Sequence, residues 1–242
     1  MRIFNADGSE EEMCGNGLRC VTKFVVDKGI FSENPLNVET IAGVLTVSWV
    51  SESKEKPDVT SVRVDMGKPR LKMHEIPAIV PGVEDKDSRI IGFTRVSPQI
   101  PKGLIYPGMS LVSMGNPHVV FLCEDPKKLN LDEIGPPIEN DPMFPNRVNA
   151  HFCKFNDAGD VCDLRTWERG SGITLACGTG GAAACVAGVL LGIGQRKMSV
   201  NFTGGTIYYE WPSDDSSVIM TGPAAHVYDG VIKLNNPKFF NS

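Results

Sequence analysis

Two short stretches decide the fold: Met13-Cys14-Gly15-Asn16-Gly17-Leu18-Arg19-Cys20 and Ala176-Cys177-Gly178-Thr179-Gly180-Gly181-Ala182. Each sets a cysteine and two glycines directly ahead of a helix-like run, the pattern of a tight turn that opens a helix. Outward from these stretches the two contexts stay in step. Phe4 precedes Cys14 as Trp167 precedes Cys177, and Gly29 follows the first as Gly192 follows the second. Farther on, Val38 to Gly43 matches Val200 to Gly205, Trp49 matches Trp211, and Met66-Gly67 matches Met220-Thr221-Gly222. Any one match is at chance level. The ordered set predicts an internal repeat, two copies of one α/β unit.

Pattern fills in each unit. Asp163 to Trp167 reads as a short strand, and Arg2 to Asn5 as the tail of its equivalent. In the first copy Leu18, Val21, Phe24 and Val25 fall at helical spacing, with Gly29 as the residue just past the helix end. In the second, Ala182 to Leu191 is apolar all round, which predicts a helix buried on every side. Val44 to Val50 and Thr206 to Trp211 are rich in β-branched and aromatic residues and read as strands. The expected class is α/β (α+β). It comprises two pseudo-symmetric domains, each a curved, mostly antiparallel sheet or barrel around a central helix, with the active site in the cleft between them. A boundary near Pro69 divides them, and Pro81 to Pro107 reads as an irregular, partly edge-strand connection.

The whole-chain numbers agree with a folded protein of this kind. With 242 residues, 41% hydrophobic and a net charge of −5, the chain can bury two cores and is neither disordered nor basic enough for nucleic acid. No apolar run approaches the length of a membrane span, and the start, Met1-Arg2-Ile3-Phe4, is strand-like rather than a signal peptide. Seven cysteines without CxxC spacing argue against structural zinc and fit a reducing compartment; a bacterial cytoplasm and a plastid stroma both fit, and the sequence does not decide between them. The four histidines, 74, 118, 151 and 226, are scattered along the chain, and no lysine stands in a Schiff-base context.

A thiol at a helix N-terminus beside glycines sits where outward-facing amides and the helix dipole favour negative charge, which stabilises thiolate and makes a pocket for a carboxylate. A single Cys-Gly-x-Gly is as readily a tight turn with a buried thiol. Two related copies favour opposed helix starts across a cleft. One thiolate can then remove a proton from one face of a carbon while the other thiol delivers a proton to the opposite face. The outcome is inversion, the chemistry of a racemase or epimerase, with the developing carbanion stabilised by the helix N-termini and without a cofactor. Gly115-Asn116-Pro117-His118, Phe144 to Asn149 and Trp167-Glu168-Arg169-Gly170 are further polar contexts. Glu168 and Asn5 occupy equivalent places ahead of the two cysteines.

These residues resemble diaminopimelate epimerase, in the wider superfamily that includes proline racemase. The likeness is carried by Arg2 to Glu10, Met13 to Cys20, Trp167 to Gly172, Leu175 to Gly180, Gly115 to His118, Arg147-Val148-Asn149 and His226 to Gly230, over essentially the whole chain. It implies a cofactor-free isomerase that interconverts LL- and meso-2,6-diaminopimelate in lysine biosynthesis, acting on a small molecule, with no membrane partner, as a possible homodimer. Cys14 and Cys177 would be acid and base. Gly15, Asn16, Gly178 and Thr179 would hold the reacting carboxylate. Asn5, Asn116, Asn149, Glu168 and Arg169 would bind the amino and distal groups, and His118 and Glu168 would tune the cysteines. The resemblance also returns the C-terminal tail to the first domain, giving 1–68 plus 223–242 and 69–222.

Two departures stand out. Ile173 replaces a frequent Glu, and the family's opening segment, with further substrate contacts, is not present ahead of Phe4, so the chain is expected to be a fragment or alternative start of a longer epimerase. Competing readings are a proline-racemase-like enzyme, an isomerase of the phenazine type, and an inactive truncated binding or redox-sensing module.

Overall fold

The computed structural model describes residues 1–4, 8, 10, 14–41, 43–51, 58–94 and 108–231. The two cysteine motifs each open a 13-residue helix. In chain order the elements are α1 (Gly15–Asp27), β1 (Leu36–Thr40), β2 (Gly43–Ser51), β3 (Val59–Asp65), β4 (Ser110–Ser113), β5 (Pro117–Leu122), α2 (Leu131–Glu139), β6 (Asn149–Phe155), β7 (Val161–Glu168), β8 (Gly172–Thr174), α3 (Gly178–Leu190), β9 (Lys197–Phe202), β10 (Gly205–Glu210) and β11 (Ile219–Pro223). The repeat is visible in this order: α1 leads into the antiparallel run β1, β2, β3, and α3 into β9, β10, β11.

The strands of the two copies run on into one continuous sheet. One open sheet runs β1-β2-β3-β11-β10-β9-β7-β6-β5-β4, with β8 added on β7. The copies join edge to edge through β3 and β11, antiparallel with Arg63 opposite Thr221, as two units related by a local two-fold would. The physical reason is the unpaired edge: a last strand of either unit would expose a row of amides and carbonyls, and pairing with its counterpart satisfies both. The pairs β5–β6 and β7–β9 are parallel; the remaining pairs are antiparallel.

The two central helices pack closely on the sheet. Residues Gly178 to Gly188 of α3 are all buried, as the apolar run predicted. Small residues let the sheet wrap closely: a Cβ on Gly181 would lie 2.4 Å from the Tyr209 hydroxyl and one on Gly188 2.4 Å from the Phe155 ring. On α1 the buried face is Leu18, Arg19, Thr22, Lys23 and Val26, one step round from the expected stripe, and Phe24 is exposed. Buried Lys23 is held by Asp27 and Asp58, both at 2.7 Å. Gly29, at φ +68°, ends α1 as expected.

Across β4 to β6 both sheet faces are covered. Val112, Val120 and Cys153 face the α3 side, whereas Leu111, Phe121 and Phe152 face a second core with Leu131 and Ile138 of α2. Helix α2 contains Pro136 and Pro137, residues that read as a break in sequence, and was not foreseen. The stretch Arg2 to Asn5 shows one isolated bridge, Phe4 with Glu10, rather than a strand; Asn5 lies outside the described residues. Of the connection from Pro81, the described part makes only isolated bridges, Lys72 with Arg89 and Phe93 with Met109.

Candidate active site

Cys14 and Cys177 are the N-cap residues of α1 and α3, both in extended backbone. The first intrahelical bonds run from Leu18 N to Cys14 O and from Gly181 N to Cys177 O, so the amides of Gly15, Asn16, Gly178 and Thr179 lie ahead of them, pointing out of the helix starts. The two starts meet. The Asn16 side chain donates to the carbonyl of Ala176 at 3.1 Å, tying the α1 motif to the residue before Cys177. Met220, one of the repeat-matched methionines, packs between them: a Cβ on Gly15 would lie 2.8 Å from its methyl, and one on Gly178 3.2 Å from its sulfur. The helix starts approach this closely because both first residues are glycine.

The starts open on a cavity of about 120 Å³. Cys14, Gly15 and Asn16 line it from one side, and Cys177, Gly178 and Thr179 from the other; Asn116, Asn149, Glu168 and Arg169 complete the wall. Ile3, Ser171 and Ala176 also line it and were not singled out from sequence, since nothing in their type marks chemistry. The Asn16 Oδ1 is buried with no hydrogen-bond partner among the described residues, an acceptor available to a bound donor such as an ammonium.

The two thiols have different surroundings. Cys14 is half-buried and accepts from the Gly17 amide at 3.3 Å. Cys177 is buried. Burial pushes its thiol well above the usual range, and the Glu168 carboxylate adds to this by its charge and by a hydrogen bond to the thiol; the Thr179 hydroxyl and the Gly180 amide pull the other way. Desolvation and the Glu168 carboxylate therefore work against the helix start at Cys177 and favour its protonated form.

Behind the wall lies a polar cluster. His118 is fully buried and bridges Asn116 Oδ1 (2.8 Å) and His151 Nε2 (2.8 Å). It does not line the cavity; Asn116 stands between. His151, which sequence left as a scattered residue, meets Thr166 Oγ1 at 3.0 Å across the β6–β7 pair. Burial keeps both rings neutral, lowering His118 well below its usual range and His151 to about 3.

Glu168 and Arg169 sit where β7 turns into β8. The Arg169 amide donates to Asn149 Oδ1 (2.9 Å) and its guanidinium to Asn146 O (3.1 Å); Thr174 donates to Glu168. Glu139, at the end of α2, was missed from sequence. Its buried carboxylate accepts from Trp167 Nε1 (2.7 Å), Gly170 N (3.0 Å) and Arg147 Nη1 (3.0 Å), so it grips both sides of the turn. A lone Glu ahead of Asn140-Asp141-Pro142 carries no local signal; only the fold brings it here.

A helix-capped pair of thiols on one cavity defines the class, that of proteins with two repeated α/β units and a cysteine at each central helix start. Among solved structures the fold is shared with a probable proline racemase from Agrobacterium radiobacter (TM-score 0.61, 14% identity, covering 98% of this chain and 72% of that one). It is also shared with a phenazine biosynthesis protein from Bacillus anthracis (TM-score 0.54, 16% identity, 92% and 76%). The family model described as diaminopimelate epimerase matches residues 1–72 and 110–227. Proteins named diaminopimelate epimerase are 44% identical over 238 residues in Desulfitobacterium hafniense (96% of this chain, 77% of that one) and 41% over 234 residues in Synechocystis sp. (97% and 78%). The chain belongs to the diaminopimelate epimerase family, a family of isomerases.

Proposed function

We propose that this chain interconverts LL- and meso-2,6-diaminopimelate without a cofactor, by proton transfer at Cys14 and Cys177, as a step of lysine biosynthesis. The observation that carries the reading is the convergence of two cysteine-capped helix starts on one cavity. The α-carboxylate lies on the amides of Gly15, Asn16, Gly178 and Thr179, so charge that develops as the α-carbon is deprotonated meets donors already in place. Asn116, Asn149, Glu168 and Arg169 take the amino and distal groups, with Asn5 completing the set.

In one direction the Cys177 proton passes to Glu168. The thiolate then takes the α-proton, the Cα–H bond breaks, and its electron pair delocalises into the carboxylate. The Cys14 thiol gives its proton to the opposite face. The product carries one new Cα–H bond; Cys177 ends as thiol, Glu168 as carboxylic acid and Cys14 as thiolate, and loss of the Glu168 proton to water with uptake of one by Cys14 restores the starting state. In the other direction the cysteines exchange roles.

The test is α-deuterium incorporation. LL-diaminopimelate incubated with the protein in heavy water should acquire deuterium at one α-carbon and yield the meso form. Cys14→Ser and Cys177→Ser should each stop turnover. Absence of exchange by the unaltered protein, or near-normal epimerisation by either variant, refutes the reading.

A further inference from the structure

The buried histidine pair extends the site beyond its cavity wall. With the Asn116 amide oriented as it is in the structure, the donor and acceptor types along it leave one assignment for the two rings. Asn116 Oδ1 is a carbonyl oxygen and only accepts, so His118 Nε2 carries a hydrogen. Burial holds His118 neutral, so its Nδ1 is an acceptor and His151 Nε2 must donate to it. His151 is neutral too, so its Nδ1 accepts from the Thr166 hydroxyl. At the other end the Asn116 amide nitrogen donates to Thr179 Oγ1 (3.5 Å), which leaves the Thr179 hydroxyl hydrogen free to point at Cys177 Sγ, 3.6 Å away. With the Thr179 hydroxyl donating to the sulfur, every hydrogen bond runs the same way, from Thr166 toward Cys177.

We propose that His151 and His118 are positioning residues of a one-way donor relay, Thr166–His151–His118–Asn116–Thr179, that holds the Asn116 amide in one orientation and aims the Thr179 hydroxyl at Cys177. The proposal rests on the epimerase reading for its purpose and on hydrogen-bond chemistry for its existence. Reversing the relay requires turning the Asn116 amide and moving both imidazole hydrogens to Nδ1, after which Thr179 donates to Asn116 and the sulfur loses its donor. No proton travels along the relay. His118 has a hydrogen on the side facing Asn116 and an occupied lone pair on the other, so it acts through Asn116 and Thr179 rather than on substrate.

The relay gives Cys177 what burial takes away. Its thiolate must form next to the Glu168 carboxylate and near the buried Tyr209 hydroxyl, which donates to Gly178 O at 2.9 Å; Arg169 is the cation facing His118. A hydroxyl donor on the sulfur stabilises the charged state, and hydrogen bonds to charged groups are the strong ones. Cys14 has no counterpart relay among the described residues, where its donor is the Gly17 amide. His151 is locked in place because its ring fills the space over Gly180, where a Cβ would lie 2.2 Å from the ring.

The experiment reads tautomers and thiol reactivity, neither of which needs turnover. In protein labelled with nitrogen-15 at histidine, His118 and His151 should both show Nε2–H and unprotonated Nδ1, unchanged across neutral pH; an Nδ1–H His118 or an imidazolium overturns the proposal. Iodoacetamide labelling at fixed pH, read per cysteine by mass spectrometry, should slow at Cys177 about 10-fold or more in Thr179→Val, with Cys14 as unchanged reference, and recover in Thr179→Ser. His151→Phe should slow Cys177 by a smaller factor, because only one imidazole then resists reversal. Equal labelling of Cys177 in wild type and Thr179→Val overturns the proposal even if His151→Phe fails to fold. If wild type shows the tautomers and the labelling ratio but no α-deuterium exchange, the relay stands and the epimerase reading fails.

Discussion

Replacing Glu139 by Ala is the sharpest perturbation of the site from outside it. The carboxylate accepts three hydrogen bonds, and their loss is unequal. Trp167 Nε1–H is partly buried and is left without its acceptor, costing about 1–3 kcal/mol. Gly170 is exposed, so its amide regains water and contributes about 0.5–1.5 kcal/mol. Arg147 is half-exposed, and its ion pair contributes about 0–1 kcal/mol. The sum is about 1.5–5.5 kcal/mol, a large part of a typical stability of about 5–15 kcal/mol. Urea unfolding should show a lower midpoint at unchanged slope. Because the same bonds fix the turn bearing Glu168 and Arg169, turnover of diaminopimelate should fall further than the folded fraction does. Trp167→Phe removes one of the three bonds while keeping a ring against Gly135, and the two changes together should cost less than their sum. A loss under about 1 kcal/mol for Glu139→Ala with unchanged turnover would refute the argument that this carboxylate sets the turn.

Gly180→Ala drives a Cβ to 2.2 Å from the His151 ring and should cost about 1–3 kcal/mol or more, read by calorimetry; the repeat-equivalent Gly17→Ala, whose nearest contact is Cys14 Cβ at 3.6 Å, should cost less than half as much. His118 and His151 are neutral when folded and have depressed proton affinity. The unfolded chain therefore binds protons that the folded one does not as pH falls below about 6.5, so stability is full above that pH and declines below it, by about 1.4 kcal/mol per pH unit for His151 down to about 3, with His118 adding a loss in the same direction. Equilibrium unfolding at pH 7, 6 and 5 checks the slope, which should flatten in His151→Phe. Glu168→Gln removes the proton acceptor beside Cys177 and should lower kcat/KM about 10²-fold or more; a variant retaining over a tenth of the wild-type value excludes Glu168 from that role.

What could be read from sequence was what local rules fix. Two Cys-Gly-x-Gly turns, a helix of small apolar residues and matched strand runs depend on spacing and residue type, and each appears where the pattern put it. The misses are decided by long-range packing. The single sheet arises because β3 and β11 complete each other's edge, which no window of sequence contains. The buried stripe of α1 includes Arg19 and Lys23 because Pro223 and Asp58 arrive to pair with them. His118 and His151 are far apart in the chain and become neighbours only through the parallel β5–β6 register, in which Val120 stands opposite His151. Glu139 reaches Trp167 only because α2 forms despite two prolines.

The same packing breaks the symmetry of the repeat at its chemical centre. Duplication supplies two cysteines at equivalent helix starts, and a reaction run in both directions by exchanged roles invites the inference that their surroundings are equivalent. Thermodynamics removes that requirement. The ratio of kcat/KM in the two directions is fixed by the equilibrium between the stereoisomers, so no side chain around either thiol can favour one direction in that ratio. A buried Cys177 with a carboxylate base and a hydroxyl donor can therefore serve opposite a half-buried Cys14 with an amide donor. Inversion needs acid and base on opposite faces; it does not need them to be alike. Under the proposed mechanism the second copy can keep its thiol protonated at rest, with Glu168 as the proton acceptor and Thr179 as the donor to the thiolate that forms.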